Sequence, residues 1–238
     1  KTQLPEKVFP FFSVDPRRSN EFDGGILAEI KKYVGNDKPF KGLKLYTSLG
    51  YSPTHPVLYD NSNGESVYEF MEKNQIPITV HSAMTGFSHM LSKNKIEGDI
   101  YFPEGGKAAR ADHVYEDGIV KYDKKLTSFY FAKMTAERQL TLNHPVLWNK
   151  VLKKYPKLKI NFAHFGGIME IMKFVNKNET AFWTESIIEL LKKYPNVYTD
   201  LSCYYNFTGE EDYLDRIYKE VYRKLPLSSR KRVLYGSD

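Results

Sequence analysis

The sequence holds a single cysteine, Cys203, in 238 residues. That excludes an internal disulfide and a cysteine-rich zinc knuckle; Cys203 reads as a small buried apolar residue, and the chain suits a reducing compartment, the cytoplasm by default. No apolar run approaches the ~20 residues that a membrane span needs. No Gly-x-Gly-x-x-Gly turn and no Walker-type loop is present, which removes the common dinucleotide and nucleotide cradles. The formal charge is +6, yet no helix-turn-helix, finger or RNA-binding signature goes with it. Lys31-Lys32, Lys153-Lys154 and Lys192-Lys193 fall near the ends of expected helices, where cations complement the helix dipole. The basicity therefore does not point to nucleic acid.

What is present is a hydrophobic content of 41%, enough to fill a proper core, and a repeated helix-to-strand pattern. Val151 to Tyr155-Pro156 leads into Leu158 to His164, and Leu190 to Tyr194-Pro195 leads into Asn196 to Leu201. In both, proline stops a helix carrying lysines in its last turn, and a short apolar strand begins almost at once. The same grammar places a helix over Asp23 to Val34 before the strand Gly42 to Tyr46, and a helix over Glu65 to Lys73 before Ile76 to His81. A last helix, Glu210 to Lys224, precedes Arg232 to Asp238, and Val8 to Val14 makes a sixth strand. Strands separated by helices predict a parallel sheet, and short continuous apolar strands predict that both of its faces are covered.

An open doubly wound sheet and a closed barrel both satisfy this pattern. Polar residues at the C-terminal ends of several different strands favour the barrel, because a Rossmann-type site gathers at one switch point. The expectation is an α/β fold, a (β/α)8 TIM barrel truncated to about six of eight strands, forming a single domain over residues 1–238. The opening from Lys1 to Glu6 reads as a passage between elements. The segment 82–128 breaks the rhythm, since loops beyond ~15 residues are uncommon without a role. It reads as an insertion after the His81 strand: a lid over the catalytic face, a contact to a second subunit in a homodimer, or a surface excursion with no role in catalysis.

Three strand ends place an imidazole or carboxylate where the apolar run gives out: Val80-His81-Ser82, Ala163-His164-Phe165-Gly166-Gly167 and Tyr235-Gly236-Ser237-Asp238. In a barrel these ends converge on one mouth, and imidazole with carboxylate is the donor set that borderline divalent metals prefer.

Taken in order, Phe40 to Tyr46, Pro77 to His81, Asn143-His144-Pro145, Ala163 to Gly167, Asn196 to Asp200 and Leu234 to Asp238 resemble the amidohydrolase-related family, in the branch that includes aminocarboxymuconate-semialdehyde decarboxylase. The similarity spans essentially the whole chain. It implies that His81 is a metal ligand at the end of the fifth barrel strand, and that Asp238 touches the metal and accepts a proton from water. It implies that His164 polarises substrate or shuttles a proton, or ligates a second ion. The implied cofactor is a divalent metal, zinc first and manganese or iron next. The family's His-x-His pair is absent: none of the six histidines, His55, His81, His89, His113, His144 and His164, has that spacing. The strand that would carry it is expected upstream of Lys1, so metal binding by this chain is expected to be weak.

The resemblance leaves three functions open. The first is a metal-dependent hydrolase whose activated water attacks an amide, ester or lactone carbonyl of a small molecule. The second is a nonoxidative decarboxylase or hydratase of an aromatic or unsaturated acid, and the third an inactive barrel serving as a binding module. Lys44, ending its strand, is a candidate substrate-binding cation, a carboxylated bridge between two metals or an ion-pair partner; Arg110, in the insertion, is a second substrate-binding candidate. Asp200 reads as supporting structure. His144 reads as a residue in the first turn of a helix capped by Asn143. His55, His89 and His113 read as loop residues without identifiable partners.

Overall fold

The computed structural model describes residues 8–62, 64–86, 93–94, 97–101, 115–116, 119–120, 129–130, 140–176, 182–202 and 213–235. Arg110 and Asp238 lie outside these, as do His89 and His113. Six parallel strands form one sheet: β1 (Phe11–Ser13), β2 (Gly42–Leu45), β3 (Ile78–Ala83), β4 (Ile160–Gly166), β5 (Val197–Asp200) and β6 (Val233–Leu234). Their spatial order is their chain order. A doubly wound sheet reverses direction at a switch point; this one never does, and it is the arrangement of a (β/α)8 barrel with six strands present.

Between strands run α1 (Gly25–Tyr33), α2 (Val67–Lys73), α3 (Trp148–Lys154), α4 (Ile168–Asn176), α5 (Phe182–Lys193) and α6 (Tyr213–Glu220). Each forms for a local reason. In α1, Ile26 and Ile30 lie one turn apart and are buried. In α2, the Ser66 hydroxyl accepts from Glu69 N–H, capping a helix that buries Val67, Tyr68 and Met71. Helices α3 and α5 end at Lys154 and Lys193, one residue before the buried Tyr155 and Tyr194 and their prolines. The last expected helix is shorter than the sequence suggests: after α6 the chain tightens into a 3-10 turn over Tyr222–Lys224, and a separate short helix covers Leu227–Arg230. No helix among the described residues is long and apolar enough to cross a membrane.

The two faces of the sheet differ in chemistry. Registered neighbours Leu43, Ile78, Ile160 and Val197 form one apolar tier, and Leu45, Val80 and Phe162 another, all fully buried beneath the helices. Each such side chain contributes roughly 1.5–3 kcal/mol. The alternate tier, Ser13, Lys44, Thr79, Asn161 and Tyr198, is polar and partly exposed. Alternation with a period of two separates the faces: helices cover the apolar one, and the other is built to meet polar groups.

Arg232 ties β6 to its neighbours. Its guanidinium donates to the carbonyls of Leu191 (2.7 Å), Tyr194 (2.8 Å) and Val197 (2.9 Å), closing the C-terminus of α5 and the start of β5 with one side chain. Arg232→Ala is expected to lower stability by about 2 kcal/mol in denaturant unfolding, and Arg232→Lys to recover little of it, because an ammonium lacks the planar fork.

The insertion is anchored where it is described. Asp99 is buried; its N–H donates to Thr54 Oγ1 (2.7 Å), its carbonyl accepts from Ser52 Oγ (2.5 Å), and its carboxylate takes Lys150 Nζ at 2.7 Å.

Candidate functional site

His81 stands on the polar face at the C-terminal end of β3, buried, with its ring stacked flat on Tyr46, the residue following β2 (4.3 Å between centroids, 9° between planes). Its Nε2 donates to the Thr85 carbonyl at 2.6 Å. The loop reaches back that closely because residue 86 is glycine: φ is +110°, and a Cβ there would come within 2.8 Å of His81 Nε2 and 2.1 Å of the Tyr46 hydroxyl.

His164 should not share that face. His81 is registered with Ala163, so strict alternation would turn His164 toward the helices. The register then shifts, with Ala83 opposite Gly166, so β4 carries one residue more than β3 across this stretch. In that bulge His164 and Phe165 take left-handed φ values of +69° and +46°, followed by Gly166 at +91° and Gly167 at +89°. Such bulges re-aim a side chain. Here the bulge brings the His164 ring to 4.9 Å from that of His81, edge to face. A left-handed non-glycine residue costs about 1–2 kcal/mol, so the turn needs an anchor.

Asp200, at the end of β5, supplies it. Its Oδ1 accepts from His164 N–H (3.0 Å), Ser202 N–H (3.1 Å) and the Ser202 hydroxyl (2.5 Å), and its Oδ2 from Asn161 Nδ2 (2.6 Å). Burial by itself would raise the Asp200 carboxyl; the bonds from Ser202, His164 N–H and Asn161 together outweigh it and hold the group below its ordinary value, ionised at neutral pH. Ser202 also meets His164 directly, its hydroxyl 2.9 Å from Nδ1.

Two histidines distant in sequence and on neighbouring strands therefore share one end of the sheet. A family model described as Amidohydrolase matches residues 3–238. The chain belongs to the amidohydrolase family. Members of that family are hydrolytic enzymes that generally depend on a bound metal ion. No protein of curated function matches this amidohydrolase-family chain. Solved structures similar to it include a dihydroorotase from Campylobacter jejuni (16% identity, covering 97% of this chain and 49% of that one, TM-score 0.37). Another is a Staphylococcus aureus protein described as an amidohydrolase (15% identity, 85% and 54% coverage, TM-score 0.34). The chain spans about half the length of these structures.

In donor chemistry the amidohydrolase-family pair, two buried imidazoles, fits a divalent cation. Among the described residues no third His, Cys, Asp or Glu completes a ligand group with them. Lys44 lies on the polar face, registered with Ser13 and Thr79, one tier before His81.

Two other histidines have partners that the sequence reading missed. Asn143 does not cap the following turn; its amide oxygen accepts from Thr47 Oγ1 (2.8 Å). His144 is the cap, its Nδ1 accepting from Val146 N–H at 3.2 Å. His55 does the same for a short helix at Pro56–Tyr59, accepting from Val57 N–H at 3.3 Å, and its Nε2 faces Glu97 at 3.3 Å. Both caps are spelled His-Pro-Val-Leu, at residues 55–58 and 144–147. That repeat was the available signal: proline at the first helical position fixes the turn, and the imidazole before it takes the orphan N–H.

Proposed function

We propose that this chain carries the catalytic face of a metal-dependent hydrolase that attacks the carbonyl of a small amide, ester or lactone. One observation carries the reading: in an amidohydrolase-family chain, His81 and His164 lie 4.9 Å apart at the C-terminal end of the sheet, on its polar face. Barrel enzymes place their chemistry at that end.

His81 and Asp238 would hold the cation, zinc by donor type with manganese or iron as alternatives. When bound, the ion supplies acidified water, whose pKa falls from ~16 toward about 7, and polarises the carbonyl. Asp238 accepts the proton of the attacking water. His164, its backbone held by Asp200, stands beside the carbonyl and shuttles that proton, taking it on the ring and passing it to the departing group. Lys44 and Arg110 orient an anionic portion of the substrate.

Elemental analysis and a substrate panel test the reading together. Titrated with a divalent metal, the chain is expected to bind it weakly and His81→Ala not to bind it, with turnover of amide, ester or lactone substrates stopped by a chelator. Metal content unchanged in His81→Ala removes that residue from the site. Carbon dioxide release from aromatic acids, with no hydrolysis of any carbonyl substrate, overturns the hydrolase.

A further inference from the structure

The hydrogen bonds around His164 run in one direction. The Asp200 carboxylate has no proton and only accepts, and the Ser202 hydroxyl donates to its Oδ1 at 2.5 Å. A hydroxyl has one proton to give. At its 2.9 Å contact with His164 Nδ1 the same oxygen must accept. A second neighbour of Nδ1 among the described residues is the Ser202 carbonyl, 3.4 Å away and also an acceptor. Flanked by two acceptors, Nδ1 carries the ring proton.

We propose that Ser202, oriented by Asp200, is a positioning residue that fixes His164 as its Nδ1–H tautomer and so assigns the lone pair of the neutral ring to Nε2. The line Asp200, Ser202, His164 is buried throughout, with relative exposures of 8%, 6% and 6%, so water does not compete for the ring nitrogen on this side. Two jobs then fall to one carboxylate oxygen: Asp200 Oδ1 holds the His164 backbone in its left-handed turn and sets the hydroxyl that holds the ring. His81 has the opposite arrangement. Its Nε2 donates to the Thr85 carbonyl, which leaves the lone pair of its neutral ring on Nδ1. The two rings are thus neighbours of opposite tautomer, His81 fixed by a carbonyl of its own loop and His164 by the hydroxyl and carbonyl of Ser202 beyond β5.

On the hydrolase reading above, on which this clause rests, Nε2 is the atom of His164 that meets a cation or a substrate proton. The tautomer itself stands without that reading.

Long-range 1H–15N correlation spectra of the chain, recorded with chelator present so that no cation competes for a ring nitrogen, read the protonated nitrogen directly. His164 is expected to show a protonated Nδ1 and a bare Nε2. In Ser202→Ala the two nitrogen shifts are expected to move toward each other as the tautomers mix, while Ser202→Thr, which keeps the hydroxyl, holds the wild-type pattern. Circular dichroism establishes that each variant is folded. Wild-type His164 protonated on Nε2 overturns the proposal whether or not the alanine variant folds, and so does a folded Ser202→Ala with the wild-type pattern. Failure of the hydrolase reading would show separately, as missing metal and missing turnover, and would leave these spectra unchanged.

Discussion

Replacing Asp200 with alanine is expected to cost the fold about 3–5 kcal/mol, because it strands several buried donors at once. His164 N–H, Ser202 N–H, the Ser202 hydroxyl and Asn161 Nδ2 all donate to that one carboxylate. Without it the left-handed turn at His164 and Phe165 loses its anchor, and the His164 ring is expected to leave the His81 side. Asp200→Asn should be far milder, about 1–2 kcal/mol, since the amide oxygen still accepts from His164 N–H and Ser202. Its new NH2 group would meet Asn161, whose Oδ1 is buried with no hydrogen-bond partner among the described residues and can receive it after an amide flip. The two variants separate charge from geometry. The folded carboxyl sits below its unfolded value, so its contribution is complete above about pH 4 and fades as pH falls through the folded pKa. The gap between wild type and Asp200→Asn in urea unfolding should therefore narrow in acid. A gap independent of pH would mean that the charge contributes nothing.

His144 should make the protein acid-labile over a higher range. Burial pushes its imidazole down to about 3, and Nε2 is buried with no hydrogen-bond partner among the described residues. The neutral ring is the folded form. Its stabilising contribution is whole above the unfolded value near 6.5 and is lost on acidification from there toward about 3, at roughly 1.4 kcal/mol per pH unit. Asparagine is a good cap and does not titrate. His144→Asn is expected to cost about 1–2 kcal/mol near pH 7.5 through lost packing against Tyr101 and Trp183. By about pH 5 the wild type should have given up roughly 2 kcal/mol that the variant keeps, so the two unfolding midpoints should meet or cross. Parallel pH profiles would show that His144 is not the group responsible.

Much of this architecture could be read from residues alone. Tyr-Pro stops after lysine-tipped helices and polar residues at strand ends gave six parallel strands and put His81 and His164 at one end of them. What could not be read is instructive in its causes. Asp200 looked like supporting structure, and its weight comes from four donors converging on it across β4 and β5, a register no single strand encodes. The face of His164 contradicts the alternation rule, and only the bulge at 164–165 reverses it; Gly166-Gly167 marks a turn without saying which way the preceding imidazole will point. The polar tier of Lys44, Thr79, Asn161 and Tyr198 was legible as period-two spacing but was masked by the apolar run read around it. The His-Pro-Val-Leu repeat was on the page as well, and imidazole caps were missed because the ordinary cap residues are Ser, Thr, Asp and Asn.

The ladder between β3 and β4 has a further consequence. These strands pair through Ile78 to Ala83 even though the longest excursion of the chain lies between them. The gap between His81 and His164 is thus measured by interstrand bonds and one bulge, and the intervening peptide does not set it. Doubling a loop adds only about 0.6 kcal/mol of closure entropy. The stretch hanging from those two strands is therefore free to lengthen, shorten or change composition while the imidazoles keep their separation. Change in that stretch therefore leaves the pair's spacing, set by the ladder, in place.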